Sequence, residues 1–189
     1  EILRCYNKIE TDAPVIQAMI PLVMSLSDNI QTNNFDKVDS TARILTSMGG
    51  SYMHIICGAE DIGQERLISV LCNCVKHEDI EIAKITLPFW DELKYYLVDR
   101  TKRFKAVDDK AEEIRQISEK RRNEFSKYVL QVFDVCLIHL NSIIKSVSGN
   151  EIEEEDDIRE FGECTRSCAA LLGWQPCLKR GFDNLTNIL

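Results

Sequence analysis

The chain has 189 residues, 44% of them hydrophobic and 29% charged, with a formal net charge of −8. That balance suits a globular chain and argues against a disordered one. An acidic chain repels the phosphate backbone, which disfavours direct nucleic-acid binding and favours a basic protein partner.

No uninterrupted apolar run approaches the roughly 18 residues of a membrane span, and no signal peptide is visible. The sequence opens at Glu1 and is expected to be a piece of a longer chain. Apolar residues recur every three or four positions almost throughout, and no window alternates with period two, so an all-α fold is predicted. The first helix is expected over 13–32, on the stripe Val15, Ile16, Met19, Ile20, Val23, Leu26 and Ile30, with Pro21 inside it. Asp12 before Ala13-Pro14 offers a cap followed by an early proline. The second helix spans 36–57 and should break or kink at Gly49-Gly50. The third spans 63–77. The fourth, 79–99, starts at the cap residue Asp79 and carries the stripe Ile82, Ala83, Thr86, Phe89, Trp90, Leu93, Tyr96 and Leu97.

Pro88 sits in the middle of that fourth stripe. A mid-helix proline removes the bond to the Lys84 carbonyl and clashes there, at roughly 3 kcal/mol in an isolated helix. Such a residue persists only where neighbouring helices hold both halves. Pro88, Phe89, Trp90 and Leu93 are therefore the predicted structural core.

Helices follow at 109–147, 157–173 and 176–189. The segment 100–122 is polar almost all round, apart from Phe104, Val107, Ile114 and Ile117. It reads as a charged insertion that protrudes as a solvated extension or partly disordered loop. Dense packing should begin near Arg122, ahead of Phe125, Val129, Val132, Phe133 and Cys136. The basic clusters Arg100, Lys102, Arg103 and Lys120, Arg121, Arg122 read as a solvated face without a clean ion-pair ladder. Gly173 should end the sixth helix and Pro176 open the seventh.

The helices pair as 13–32 with 36–57, 63–77 with 79–99, and 109–147 with 157–173, and 176–189 would begin a fourth pair. Residues 1–189 thus form a single α-solenoid unit of about three and a half HEAT-like repeats, wound right-handed.

Glu151, Glu153, Glu154, Glu155, Asp156 and Asp157 place six carboxylates within seven residues. Mutual repulsion should keep 148–157 an extended acidic loop inside one helix pair, with Asp156 or Asp157 capping the next helix. This run is the candidate protein-binding site, an electrostatic contact for a basic partner. Its plainer role is a solvated turn whose last acids favour the following helix N-terminus.

The eight cysteines are Cys5, Cys57, Cys72, Cys74, Cys136, Cys164, Cys168 and Cys177. Several lie on apolar stripes, where a free thiol behaves as a small hydrophobe, so a reduced, intracellular protein is expected. Cys72 and Cys74 are two apart on a helix and diverge, so with His77 they make a poor metal site. His54, His77 and His139 are scattered, and no glycine loop that cradles phosphate occurs. No catalytic residue, metal or cofactor is expected.

The order Ile20-Pro21-Leu22-Val23, Ala42-Arg43-Ile44-Leu45, Thr86-Leu87-Pro88-Phe89-Trp90, Phe125 to Leu140 and Leu171-Leu172-Gly173 resembles the importin-β (karyopherin) superfamily. More narrowly it resembles the transportin-SR and importin-thirteen branch, in which a helix with a Thr-x-x-Phe-Trp element follows a Cys-x-x-His-like turn. That turn reads here Cys74-Val75-Lys76-His77. The resemblance implies a middle fragment of a nuclear transport receptor, with second helices lining the concave side. Such receptors shuttle between cytoplasm and nucleus and carry protein cargo through nuclear pores under Ran-GTP control. They meet Ran and Phe-Gly nucleoporins through the full-length protein and use neither membrane nor direct nucleic-acid contact. The alternative is a HEAT-repeat scaffold subunit of a signalling complex, which GTP-dependent cargo release separates from a receptor.

Overall fold

The computed structural model describes residues 34–58, 63–99, 109–146 and 151–173, together with positions 21, 25, 30 and 177. The predicted helices 13–32 and 176–189 lie outside these, apart from those isolated positions. Asp12, Cys5, Pro176 and residues 100–108 lie outside them too.

Helix α1, Phe35–Ser51, starts at Asn34, whose side chain accepts a hydrogen bond from the Lys37 N–H at 3.1 Å. It buries Val38, Ala42, Leu45 and Met48 and stops at Tyr52, after which α2, Met53–Ile56, adds one short turn. Helix α3, Gln64–Val75, follows Gly63, whose φ of 78° lies in the left-handed region that favours glycine. Asp79 caps α4, Ile80–Ile85, as the sequence predicts, its Oδ1 accepting from the Glu81 N–H at 2.9 Å.

Pro88 divides the predicted 79–99 helix. The chain breaks at Thr86, and α5 runs over Leu87–Lys94 with the proline in its first turn, where its missing N–H costs little. Thr86 bridges the break: its backbone N–H and its hydroxyl both donate to the Ala83 carbonyl, at 3.3 and 3.2 Å. A π-helical turn, Tyr95–Asp99, completes the element. Helices α6, Asp109–Ser146, and α7, Glu151–Leu172, form the last pair, and Gly173 ends α7 with a φ of 82°.

Among the described residues every regular element is helical. The packing makes an all-α solenoid in two rows. Helices α3 and α6 stack as first helices, and α1, α4–α5 and α7 stack as second helices. Between the rows Trp90, Phe89, Phe125, Phe161, Leu71 and Leu93 are almost wholly buried. Trp90 and Phe89 meet edge to face at 5.3 Å, a favourable aromatic geometry. The Phe89, Trp90 and Leu93 of the predicted core are thus interior, while Pro88 itself is exposed. Phe89 lies against α1 at Gly49.

The glycine pair behaves otherwise than expected. The helix passes through Gly49 and Gly50 and breaks only at Tyr52. A Cβ on Gly49 would lie 2.7 Å from the Phe89 ring, and one on Gly50 would lie 2.9 Å from the Glu92 Oε2. The glycines admit close neighbours and make no turn.

The charged segment also departs from expectation. From Asp109 onward it continues α6 as helix, and packing begins before Arg122, with Ser118 and Arg121 both buried. Glu112 receives Arg115 at 3.0 Å and Gln116 at 3.3 Å, so a short local ladder does form. Arg121 donates through Nε to the Gly58 carbonyl at 2.8 Å and through Nη1 to the Glu124 carboxylate at 2.6 Å. Arg122 donates through Nε and Nη2 to the Leu171 carbonyl, at 3.0 and 2.8 Å. Carbonyls at helix C-termini lack intrahelical donors and carry partial negative charge, so a guanidinium placed there is satisfied rather than stranded. Two residues read as solvated face instead join α6 to the ends of α2 and α7.

Within Glu112–Lys145 lies a window long and apolar enough to cross a bilayer by length and composition alone. Its stripe Val129, Val132, Phe133 and Cys136 is buried within the helical core, where α6 packs on α3 and α7.

Two stability predictions follow from these contacts. Gly49→Ala is expected to lower stability by about 1–3 kcal/mol, because the buried Phe89 ring, 2.7 Å from the new Cβ, would have to leave its packed position. Gly50→Ala, which meets only a movable carboxylate, should leave stability unchanged or raise it by up to ~1 kcal/mol through helix propensity. Urea unfolding of the two variants side by side checks this. Arg121→Ala is expected to cost about 1–3 kcal/mol by leaving the Gly58 carbonyl and Glu124 without their donor. A midpoint unchanged from wild type would show that the arginine carries no such load.

Candidate protein-binding surface

The acidic run lies in a helix, which corrects the expected loop over 148–157. Positions 148–150 are outside the described residues, and from Glu151 the backbone is helical. Asp156 and Asp157 therefore cap nothing. The physical reason is that acids in the first turns of a helix are favoured by its macrodipole, which offsets their mutual repulsion. Of the run, the side chains described are those of Glu155, Asp156 and Asp157.

These three acids have different surroundings. Asp157 is largely covered and takes the Lys84 ammonium at 2.6 Å, tying α7 to α4. Lys84 also reaches Glu81 at 3.3 Å. The hydrogen bond that Lys84 donates to Asp157 raises the Lys84 pKa above its ordinary value of 10.5, against the opposing effect of burial. Asp156 pairs within its own helix with Arg159 at 2.9 Å. Glu155 is exposed. The structure thus makes one of these acids a structural tie and leaves Glu155 and Asp156 at the surface.

A second tie joins α5 to α7. Ser167 donates its hydroxyl to Asp91 Oδ1 at 2.7 Å, and Lys94 reaches the same oxygen at 3.0 Å. Burial pushes the Asp91 carboxyl up, but the bonds from Ser167 and Lys94 outweigh it and hold the group below its usual 3.8.

Between α1 and the Pro88 break lies an open pocket of about 420 Å³. From α1 it is lined by Arg43, Thr46, Ser47, Gly50 and Ser51. From α4 and α5 it is lined by Ile85, Pro88, Phe89 and Glu92. Arg43 is held by Asp39, whose two oxygens accept from its Nε at 3.1 and 2.9 Å. The Thr46 hydroxyl oxygen is buried without a hydrogen-bond partner among the described residues. Sequence reasoning missed this pocket. Its one signal was the glycine pair inside an otherwise good helix, which marks close approach as readily as a bend.

The histidines and cysteines take structural positions. His77 Nδ1 accepts from the Asp79 N–H at 3.0 Å, and the His139 ring stacks on Phe161 at 4.9 Å with its Nε2 3.2 Å from the Val75 carbonyl. None of the seven described cysteines forms a disulfide, and all but Cys57 are buried. Burial pushes the Cys74 thiol up to about 12. The Cys136 thiol, hydrogen-bonded to Cys164 and buried, is held well above its ordinary range. Thiols so protected are poor nucleophiles.

Residues 33–139 match the family model described as the Transportin-3/Importin-13 second TPR domain. Transportin MOS14 of Arabidopsis thaliana is 28% identical over 94 residues, covering 49% of this chain and 10% of that protein. The chain therefore aligns with only a small part of that relative's length. No solved structure matches.

The Asp91 contact gives a pH-dependent expectation. A carboxyl held below its unfolded value contributes stability above that value and loses it as pH falls through the lower, folded one. Ser167→Ala should therefore be less stable than wild type by about 0.5–1.5 kcal/mol at pH 6. The gap should narrow as pH falls below 3.8 and Asp91 is protonated in both states. Urea midpoints at pH 6, 4 and 3 measure it, and a gap independent of pH would assign the loss to packing alone.

Proposed function

Because this chain belongs to the Transportin-3/Importin-13 family, we propose that it forms part of a nuclear transport receptor, a non-catalytic carrier of protein cargo through nuclear pores. The observation that carries this reading is the family match over 33–139, which runs from the start of α1 through most of α6. Stacked helix rows support it too, since solenoids of this kind offer extended surfaces to other proteins.

In this reading the row of second helices faces cargo. Glu155 and Asp156 at the start of α7 attract a basic partner, while Asp157 stays with Lys84. The net charge of −8 favours the same sign of partner. The intact protein binds Ran and Phe-Gly nucleoporins, shuttles between cytoplasm and nucleus, and releases or takes up cargo when Ran-GTP binds. No cofactor, metal, membrane or nucleic acid enters this scheme.

The test is a pull-down with the intact protein as bait, with and without Ran-GTP. Ran-GTP is expected to bind and to change cargo occupancy, downward for an importer and upward for an exporter. Cargo retention indifferent to Ran-GTP would instead favour a scaffold without transport activity. Glu155→Gln combined with Asp156→Asn should lower the association rate of a basic cargo more than it raises dissociation, and should flatten the salt dependence, because exposed charges act over about 8 Å at physiological ionic strength. Unchanged rates at every salt concentration would reduce the acids to helix-start residues.

A further inference from the structure

We propose that Cys136 and Cys164 form a redox latch: hydrogen peroxide closes them to a disulfide that locks α7 onto α6.

Cysteines from separate segments converge in the core. Cys136 of α6 is hydrogen-bonded to Cys164 of α7, which is hydrogen-bonded in turn to Cys168. Cys72 of α3 and Cys177 stand near this chain of thiols, and all five residues are buried. A thiol fills such a site as a small hydrophobe, but bonded thiols across a helix pair add chemistry that packing does not require.

Two contacts in the chain could close to a disulfide, and geometry selects one. Cys164 and Cys168 are four apart on one helix, where Cβ atoms lie about 5–6 Å apart. A disulfide needs about 3.5–4.5 Å. Cys136 and Cys164 belong to different helices, which share the most extensive helix contact among the described residues. No helical repeat fixes their spacing.

Closed, the pair is inert. The hydrogen bond with Cys164 and burial hold the Cys136 thiol well above its ordinary range. The bond from Cys136 pulls the Cys164 thiol down, but the bond with Cys168 and burial outweigh it. The reactive thiolate therefore forms only when α7 lifts from α6 and water reaches the sulfurs. Peroxide then oxidises one thiolate to a sulfenic acid and is itself reduced to hydroxide. The second thiol attacks that sulfur, the S–S bond forms, and the sulfenic oxygen leaves as water with the thiol proton. Two thiols and one peroxide thus give one disulfide and two waters. Reclosing of the helices favours this step by holding the two sulfurs together. In a reducing compartment such a bond is transient and acts as a sensor. Asp157 and Ser167 of α7 already hold Lys84 and Asp91, so the latch also fixes the neighbouring second helices.

The test exposes the intact protein to hydrogen peroxide, alkylates it under denaturing conditions and digests it with trypsin without reductant. Trypsin places Cys136, Cys164 and Cys168 in separate peptides, 128–145, 160–166 and 167–179. The expected product is 128–145 joined to 160–166 with loss of two hydrogens, and dithiothreitol removes it. Cys136→Ala should abolish this product, and Cys168→Ala should retain it. Asp157→Asn cuts the tie to Lys84 and should speed linking by about threefold. Amide exchange along α7 should slow by about tenfold or more in the linked protein and recover on reduction.

Peptide 160–166 joined to 167–179 as the main product would place the disulfide within α7 and overturn the latch. So would sulfinic acids at Cys136 or Cys164 without any link, or oxidation confined to Cys57. A link that leaves α7 exchange unchanged, or that forms no faster in Asp157→Asn, would overturn it equally.

Discussion

The approach of the Phe89 ring to the backbone of α1 at Gly49 is the constraint on which the remaining packing depends. A side chain of any size at Gly49 would occupy the space of the ring. With the ring seated there, α5 lies against α1 on one side, and α7 packs on its other side. The break at Thr86 turns Pro88 from an interior lesion into a tolerated first-turn residue. The same break opens the space between α1 and α5 that becomes the pocket. One close contact and one proline thus account for both the buried centre and the concavity beside it.

Polar ties then hold the rows in register. Along the second helices Lys84 meets Asp157, and Ser167 meets Asp91. Along the first helices Lys127 reaches Glu65 at 2.6 Å, and Lys76 reaches Gln131 at 2.7 Å. At one edge Arg121 and Arg122, adjacent in sequence, bond carbonyls at the ends of α2 and α7. Exposed ion pairs contribute little stability, with a median of about 0–1 kcal/mol. Their value here is geometric, since each fixes the register of consecutive helix pairs whose apolar contacts alone are free to slide. The buried Arg121 differs, because its hydrogen bonds to the Gly58 carbonyl and to Glu124 help to offset the cost of burying a charge.

Division of the acidic run has a bearing on how a solenoid of this family could hold a partner. A carboxylate used to tie α7 to α4 is not available to cargo, whereas exposed acids one and two residues earlier are. Sequence proximity therefore overstates the size of an electrostatic site. The pocket at the Pro88 break shows the converse: Glu92, Ser47 and Ile85 come from separate segments and form one concavity only after α1 and α5 pack.

Periodicity alone determined a good deal of this protein. The apolar stripes defined helices α1 and α3, α6 beyond Arg122 and most of α7, and the pairing of α3 with α4–α5 and of α6 with α7. Asp79 and Gly173 marked helix ends because capping and the left-handed turn are local chemistry. Local signals failed wherever two distant segments met. Gly49-Gly50 read as a break, since propensity does not register the Phe89 ring and Glu92 carboxylate that the glycines admit. Arg121 and Arg122 read as solvated, since charge patterning does not register the carbonyls of Gly58 and Leu171. Glu151 to Asp157 read as a repelling loop, since helix continuity with the Phe161 stripe outweighs repulsion among acids at the favourable end of a dipole. Helix identity is written in spacing along the chain. What a glycine, an arginine or a carboxylate does depends on which surface is brought against it, and that was decided only by the tertiary structure.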